Sequence, residues 1–165
     1  MSNFTQKTKN FTRNASLEVN EGFGAPASGV WFDEEREVIV LVPFFDVFEN
    51  LNPETALFEW QNALRLAALA NQNMMCPYCG EELVGHIELH HALIAKSNCV
   101  GTPSWYKVQT QHSYNVLVLH RWCHEKITTN ESARYLADMF GRDAIVEWFE
   151  SMNKVRRVRM PSLEL

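Results

Sequence analysis

The sequence predicts an α+β fold: a metal-stapled unit of strand, long loop, strand and short helix, preceded by a hairpin and helix and followed by further helices. Three observations lead there. Cys76, Cys79, His120 and Cys123 form two pairs of metal-ligand residues, each with two residues between its members. Short apolar or β-branched runs, bounded by turn residues, occur at Val30–Phe32, Glu37–Val42, Glu88–Ile94 and Asn115–Leu119. Helical spacing governs Leu57, Trp60, Leu64 and Ala67/Ala68, and again Ile145, Trp148 and Phe149.

Residues 1–29 read as a flexible lead-in that ends in a Gly/Ala/Pro/Ser-rich run from Gly22 to Gly29. Residues 30–72 read as a scaffold. The charged turn Asp33-Glu34-Glu35-Arg36 joins two strands into a hairpin, and Pro43 ends the second strand. Asn52 has the chemistry of an N-cap and Pro53 that of the first helical residue, opening a helix that runs to about Asn71. Residues 73–129 carry the metal-ligand residues, with a short helix expected from His120 to about Thr128. Residues 130–165 read as two helices and a basic tail. Thr129–Asn130 is the expected cap of the first, Gly141 its terminator, and Ala144–Met152 the second.

With 165 residues, 46% apolar and 12% aromatic, the chain has the composition of a globular protein with room for one ordinary domain or a small catalytic module on its own scaffold. Met1 to Asn14 is polar and carries Lys7, Lys9 and Arg13, so no secretory h-region is expected there. The longest apolar stretches, around Val38–Phe45 and Leu64–Ala70, are too short to span a bilayer. The expectation is an intracellular, cytoplasmic protein with no membrane partner. Cysteine usage agrees, since C-x2-C in a reducing compartment more often holds metal than a disulfide. Cys99 reads as a small apolar side chain in a loop.

Cys76-Pro-Tyr-Cys79-Gly80 is a tight turn that aims two thiolates at one point, and His120-x2-Cys123 supplies a second pair. Zinc takes four such ligands as a tetrahedron. A redox pair is the competing reading of the first turn alone, and Cys99 or His86 are less well spaced as fourth ligands. A structural Zn2+ suits a segment with little apolar area of its own, because metal binding then contributes folding free energy.

Nested inside this knuckle lie His90-His91, Asn115 and His124. Together, C-P-Y-C, E-L-H-H-A-L and N-V-L-V-L-H-R-W-C-H resemble the HNH endonuclease family, and most closely the HNH domains at the ends of group II intron proteins. The resemblance covers Cys76 to about Thr129 and leaves residues 1–70 and the tail outside. It implies the ββα-metal (HNH) fold and hydrolysis of DNA to 5′-phosphate and 3′-hydroxyl ends. It implies His91 as general base and Asn115 as the residue that orients it through the neighbouring backbone. His90 and His124 would bind one catalytic divalent ion, with His90 standing where many relatives have Asp. Imidazole ligands favour Mn2+ and other divalent transition metals over Mg2+. Glu88, two residues before His90, would share its face of the strand, as a partner of the ligands or as a solvated carboxylate. The chain holds no reverse-transcriptase segment, so a stand-alone HNH protein or one part of a larger system is implied.

A formal charge of −5 argues against nucleic acid at first sight, yet the charge is unevenly spread. The acids cluster in the first half. Lys96, Lys107, Arg121 and Lys126 lie in the metal segment, and Arg156, Arg157 and Arg159 in the tail, as the expected phosphate contacts. The loop from Trp105 to Tyr114 either meets the nucleic acid or packs on its own aromatics. A module this small offers few base-reading elements, so sequence choice would fall to residues 1–70, a protein partner or a homodimer. The acidic, aromatic first half suits protein docking. It leaves open a second class of function, a catalytically silent zinc-stabilised module that binds nucleic acid or protein.

Overall fold

A computed structural model describes residues 29–43 and 53–163, the backbone alone for 53–56. The lead-in before residue 29, the Asn52 cap and the acidic Asp46 and Glu49 lie outside the described residues. The fold is α+β. β1 (Val30–Asp33) and β2 (Val38–Leu41) form an antiparallel hairpin, and α1 spans Pro53–Asn71. β3 (Ile87–His91) pairs antiparallel with β4 (Val116–His120), in the register Glu88 opposite Leu119 and His90 opposite Leu117. Between them lie a 3-10 turn at Lys96–Cys99, α2 (Ser104–Gln109) and a second 3-10 turn at Ser113–Asn115. α3 (Arg121–His124), α4 (Thr129–Phe140) and α5 (Arg142–Asn153) complete the order. No described helix is long and apolar enough to cross a membrane.

β2 and β4 are buried along their whole length, which is why both read as continuous apolar runs and not as alternating ones. Ile39, Leu41 and Val116 pack on Trp60, Leu64 and Ala67 of α1. Val38, Val40 and Leu117–Leu119 belong to a second cluster, which continues through Ile94 and Tyr106 to Leu136, Ile145 and Phe149. The end of α1 joins the two sheets by satisfying their open edges. The Asn71 carboxamide accepts from Ile39 N at 2.8 Å and donates to Ile39 O at 2.9 Å. The next residue, Gln72, does the same for Val118, at 2.8 and 2.7 Å. Two unpaired strand edges are thereby closed without a further strand.

Two local expectations change. The helix expected from His120 to Thr128 is only Arg121–His124: Cys123 O accepts from both Lys126 N and Ile127 N, and the chain then turns extended at Thr128. The cap of α4 is Thr128, not Thr129 or Asn130. Its hydroxyl accepts from Glu131 N while the Glu131 carboxylate accepts from Thr128 N, a capping box. Gly141 ends α4 at φ 94° and also opens α5, and a Cβ there would stand 2.8 Å from the Arg36 guanidinium. The loop between the strands is partly packed inward: Trp105 and Lys107 are exposed, while ring contacts join Trp105 to Tyr106 and His112 to Tyr114. Tyr106, Thr110, Gln111, His112, Ser113 and Asn115 are all buried.

His112 shows what that burial does. Its ring lies 5.5 Å from Trp148, its Nδ1 accepts from Tyr114 N, and burial lowers its pKa to about 3. Between that value and roughly 6.5 the unfolded chain binds the extra proton. The contribution to stability is therefore complete above pH 6.5 and is lost as pH falls toward 3, about 3 kcal/mol of it by pH 4. His112→Asn keeps an acceptor for Tyr114 N and does not titrate. Denaturant melts of the two proteins from pH 7 to pH 4 should converge as wild type loses this increment, and parallel curves would contradict the assignment.

Candidate metal centre and cleft

Two antiparallel backbone bonds shape the knuckle: Cys76 N donates to Glu81 O at 2.8 Å, and Leu83 N to Met74 O at 2.7 Å. Gly80, at φ 75°, lets the turn reverse so that its N–H reaches Cys76 O. β4 ends on His120 and α3 begins there, which carries His120 and Cys123 to the same point. The ligand atoms of Cys76, Cys79, His120 and Cys123 all lie within 4.8 Å of one another. Among the described residues this is the group of three or more ligand-type side chains so assembled.

The donor chemistry fits a soft divalent ion. His120 Nε2 donates to Glu82 O at 3.0 Å, so its lone pair sits on Nδ1, 3.4 Å from Cys79 Sγ. Burial and the neighbouring thiols push the Cys123 thiol up. At Cys76 burial also works against ionisation, but backbone N–H groups of Cys79, His120 and Tyr78 outweigh it and lower the pKa to about 7. Three thiols this close cannot all ionise without a cation, and zinc supplies one. Cys76, Cys123 and His120 are buried and Cys79 is exposed. Trp122 stacks flat on the His120 ring at 4.7 Å.

The second constellation lies across β3. Strand alternation puts Glu88 and His90 on one face, where α3 delivers His124. His124 Nδ1 donates to the Glu88 carboxylate at 2.7 Å, leaving Nε2 as its lone-pair nitrogen. That bond, with the Arg121 guanidinium nearby, holds the Glu88 pKa below the usual carboxylate value. The His90 and His124 rings lie 4.5 Å apart. Ser132 of α4 gives its hydroxyl proton to Thr128 O at 3.1 Å, so at 3.3 Å it accepts from His90 Nε2. His90 thus keeps a free lone pair on Nδ1. Burial, then the nearby His124 and His91, lowers its pKa to about 4, so it is neutral near pH 7.

His91, the last residue of β3, has its Nε2 3.0 Å from Gln111 Oε1. Burial depresses its pKa as well, with the Gln111 bond opposing. Asn115 does not touch the ring. Its Oδ1 accepts from Leu93 N and Ile94 N, and its Nδ2 donates to Ile94 O and Thr110 O, all within 3.0 Å. It therefore fixes the backbone just beyond His91 and ties it to the loop carrying Gln111. No protein-family model, curated protein or solved structure matches this chain.

His90 and His91 open onto a cleft of about 610 Å³, whose far wall is the tail from Val158 to Ser162. Ser162 N pins that wall to Asn130 at 2.8 Å. Of the expected phosphate contacts, Arg159 lines this cleft, and Arg157 and Arg159 line a second, more open one with Lys154. Lys96 acts electrostatically on His91. The Arg121 side chain is exposed, 3.9 Å from Glu88. Arg156 donates to Val100 O, while Lys107 and Lys126 are exposed and line neither cleft. If the cleft takes DNA, as the resemblance implies, Arg159→Ala should weaken binding and reduce the salt slope by about one phosphate contact. Arg156→Ala should do less, and anisotropy titrations over a salt series would separate them. A slope unchanged in both variants removes the tail from the interface.

Sequence reasoning missed Gln111, Ser132 and the tail wall. Ser132 lies one residue beyond a capping box, but nothing in its neighbours points to His90. Gln111 sits in a polar run with no periodicity.

Proposed function

We propose that the protein is an HNH-type, metal-dependent endonuclease that hydrolyses DNA phosphodiester bonds. The observation that carries this reading is the pairing of His90 and His124, each with one ring nitrogen engaged by a protein acceptor, next to His91, with His90 and His91 opening onto a solvent-open cleft. A structural knuckle needs none of these side chains.

In this reading His91 accepts the proton of the attacking water, a role its neutral imidazole suits. Asn115 keeps the turn after β3 from moving and so holds His91 in place. His90 and His124 hold the catalytic ion, with Ser132 and Glu88 setting which nitrogen of each ring is offered. When bound, a divalent ion there supplies Lewis acidity to the scissile phosphate and charge stabilisation to the leaving 3′ oxygen. Arg159 on the cleft wall contacts a flanking phosphate. The Cys3His cluster takes structural Zn2+ and no part in the chemistry. The choice of DNA, and of 5′-phosphate and 3′-hydroxyl products, comes from the resemblance.

The test is cleavage of supercoiled plasmid by zinc-loaded protein with Mg2+, Mn2+, Co2+ or Ni2+ added singly, and with none added. Nicked or linear product should depend on the added ion, with the transition metals at least matching Mg2+. Strict Mg2+ specificity would count against His90 and His124 as the ligand pair. Failure to cut duplex or single strand with every ion would favour the silent zinc-stabilised interaction module.

A further inference from the structure

The Gln111 carboxamide has an orientation, and the N-terminal scaffold sets it. Its Oε1 lies 3.2 Å from Gln61 Nε2 on α1 and 3.0 Å from His91 Nε2. An amide oxygen accepts from two donors at once, so His91 carries its proton on Nε2 and its lone pair on Nδ1. The backbone of the same residue is held too, since Trp60 Nε1 of α1 donates to Gln111 O at 2.7 Å. The flanking loop is tied from the same side. Leu41 N of β2 donates to Ser113 Oγ at 2.8 Å, and Gln109 Nε2 donates to Pro43 O at 2.9 Å.

We infer that Gln111 is a positioning residue for His91, fixing it as the Nε2–H tautomer with Nδ1 free to take a proton, and that Gln61 and Trp60 of α1 hold Gln111 in that pose. The catalytic half of this inference rests on the nuclease reading, whereas the tautomer half does not. It gives residues 30–72 a role other than substrate recognition. The hairpin and α1 form a brace behind the site. The signal could not be seen in sequence, because Gln61 and Gln111 meet only when α1 packs behind the loop between β3 and β4.

A wrong tautomer leaves a general base in place but with its proton on the nitrogen that should accept one, so the loss falls on turnover. Two positions and two readouts test this. Gln111→Leu removes the acceptor, and Gln111→Glu retains one. Gln61→Leu lies on α1 and does not touch the cleft, so it frees the amide to reverse without altering the residues around His91. In long-range 1H–15N spectra of the zinc-loaded, 15N-labelled chain, His91 should be the Nε2–H form in wild type and Gln111→Glu. It should be mixed in Gln61→Leu and Gln111→Leu. In plasmid cleavage, kcat should fall roughly 100-fold in Gln111→Leu and about 3- to 10-fold in Gln61→Leu, with KM nearly unchanged.

An Nδ1–H form of His91 in wild type would mean that both amides are reversed, and would overturn the inference. So would an unchanged tautomer in Gln61→Leu and Gln111→Leu. If wild type cuts nothing with any ion, the nuclease reading fails while the spectra still decide whether Gln111 positions the ring.

Discussion

His91→Ala is expected to abolish divalent-dependent cleavage while leaving zinc content and folding intact. A positioned general base contributes about 10²- to 10⁴-fold, so residual activity should sit near the detection limit. His91 is the right residue to remove because its ring makes one side-chain hydrogen bond, to Gln111, and carries no backbone. Asn115 would be the wrong one. Its carboxamide makes four buried hydrogen bonds that join the turn after β3 to the loop, and truncating it would strand those partners at roughly 1–3 kcal/mol each. A dead Asn115 variant would then report on folding as much as on catalysis. His91→Asn, which keeps a polar group beside Gln111, is the control for packing. Zinc stoichiometry and a thermal melt matching wild type, with cleavage gone, is the expected pattern. Wild-type activity in both variants would remove His91 from the mechanism, and the nuclease reading would then need another base.

Much of the arrangement was legible because it is encoded locally. The C-x2-C turn and the H-x2-C step need only short-range geometry to aim their donors, and the four side chains do converge. The period-2 relation of Glu88 to His90 places both on the face that receives His124. Helix α1 announced itself by Trp60 and Leu64, both buried at 1% or less. What was not legible depends on contacts between distant segments. Asn71 and Gln72 look like ordinary polar residues at a helix end until each closes a strand edge. Helix α3 stops after one turn because the chain must bend back on Cys123 to reach the Thr128 cap, a requirement absent from its propensities. The Trp105–Tyr114 loop was ambiguous because aromatic and polar residues mix there. Tyr106 and His112 are buried there, while Trp105 stays exposed.

In the proposed nuclease, removing zinc should silence cleavage although zinc would do no chemistry, because the two sites share a junction. Cys123 and His124 are neighbours on a four-residue helix. Cys123 faces the Cys3His cluster, and His124 faces Glu88 and His90. Without an ion the crowded thiols favour protonation at Cys123, and the turn that sets the direction of His124 loses its anchor. Structural zinc in finger-sized units is worth about 10–16 kcal/mol near neutral pH, so no single packing contact in the knuckle can replace it. The clean variant is Cys79→Ser. Cys79 is exposed while Cys76 and Cys123 are buried, so the change deletes a ligand without opening a core cavity. Expected results are loss of bound zinc, a melting temperature lower by at least about 10 °C, and loss of Mn2+-dependent cleavage. Chelated wild type should behave the same way. Adding Mn2+ alone should not restore cutting, while Zn2+ and then Mn2+ should. A Cys79→Ser protein that has lost its zinc yet cuts at the wild-type rate would show that β3 and β4 alone hold His124 in place, and that the knuckle serves something other than the cleft.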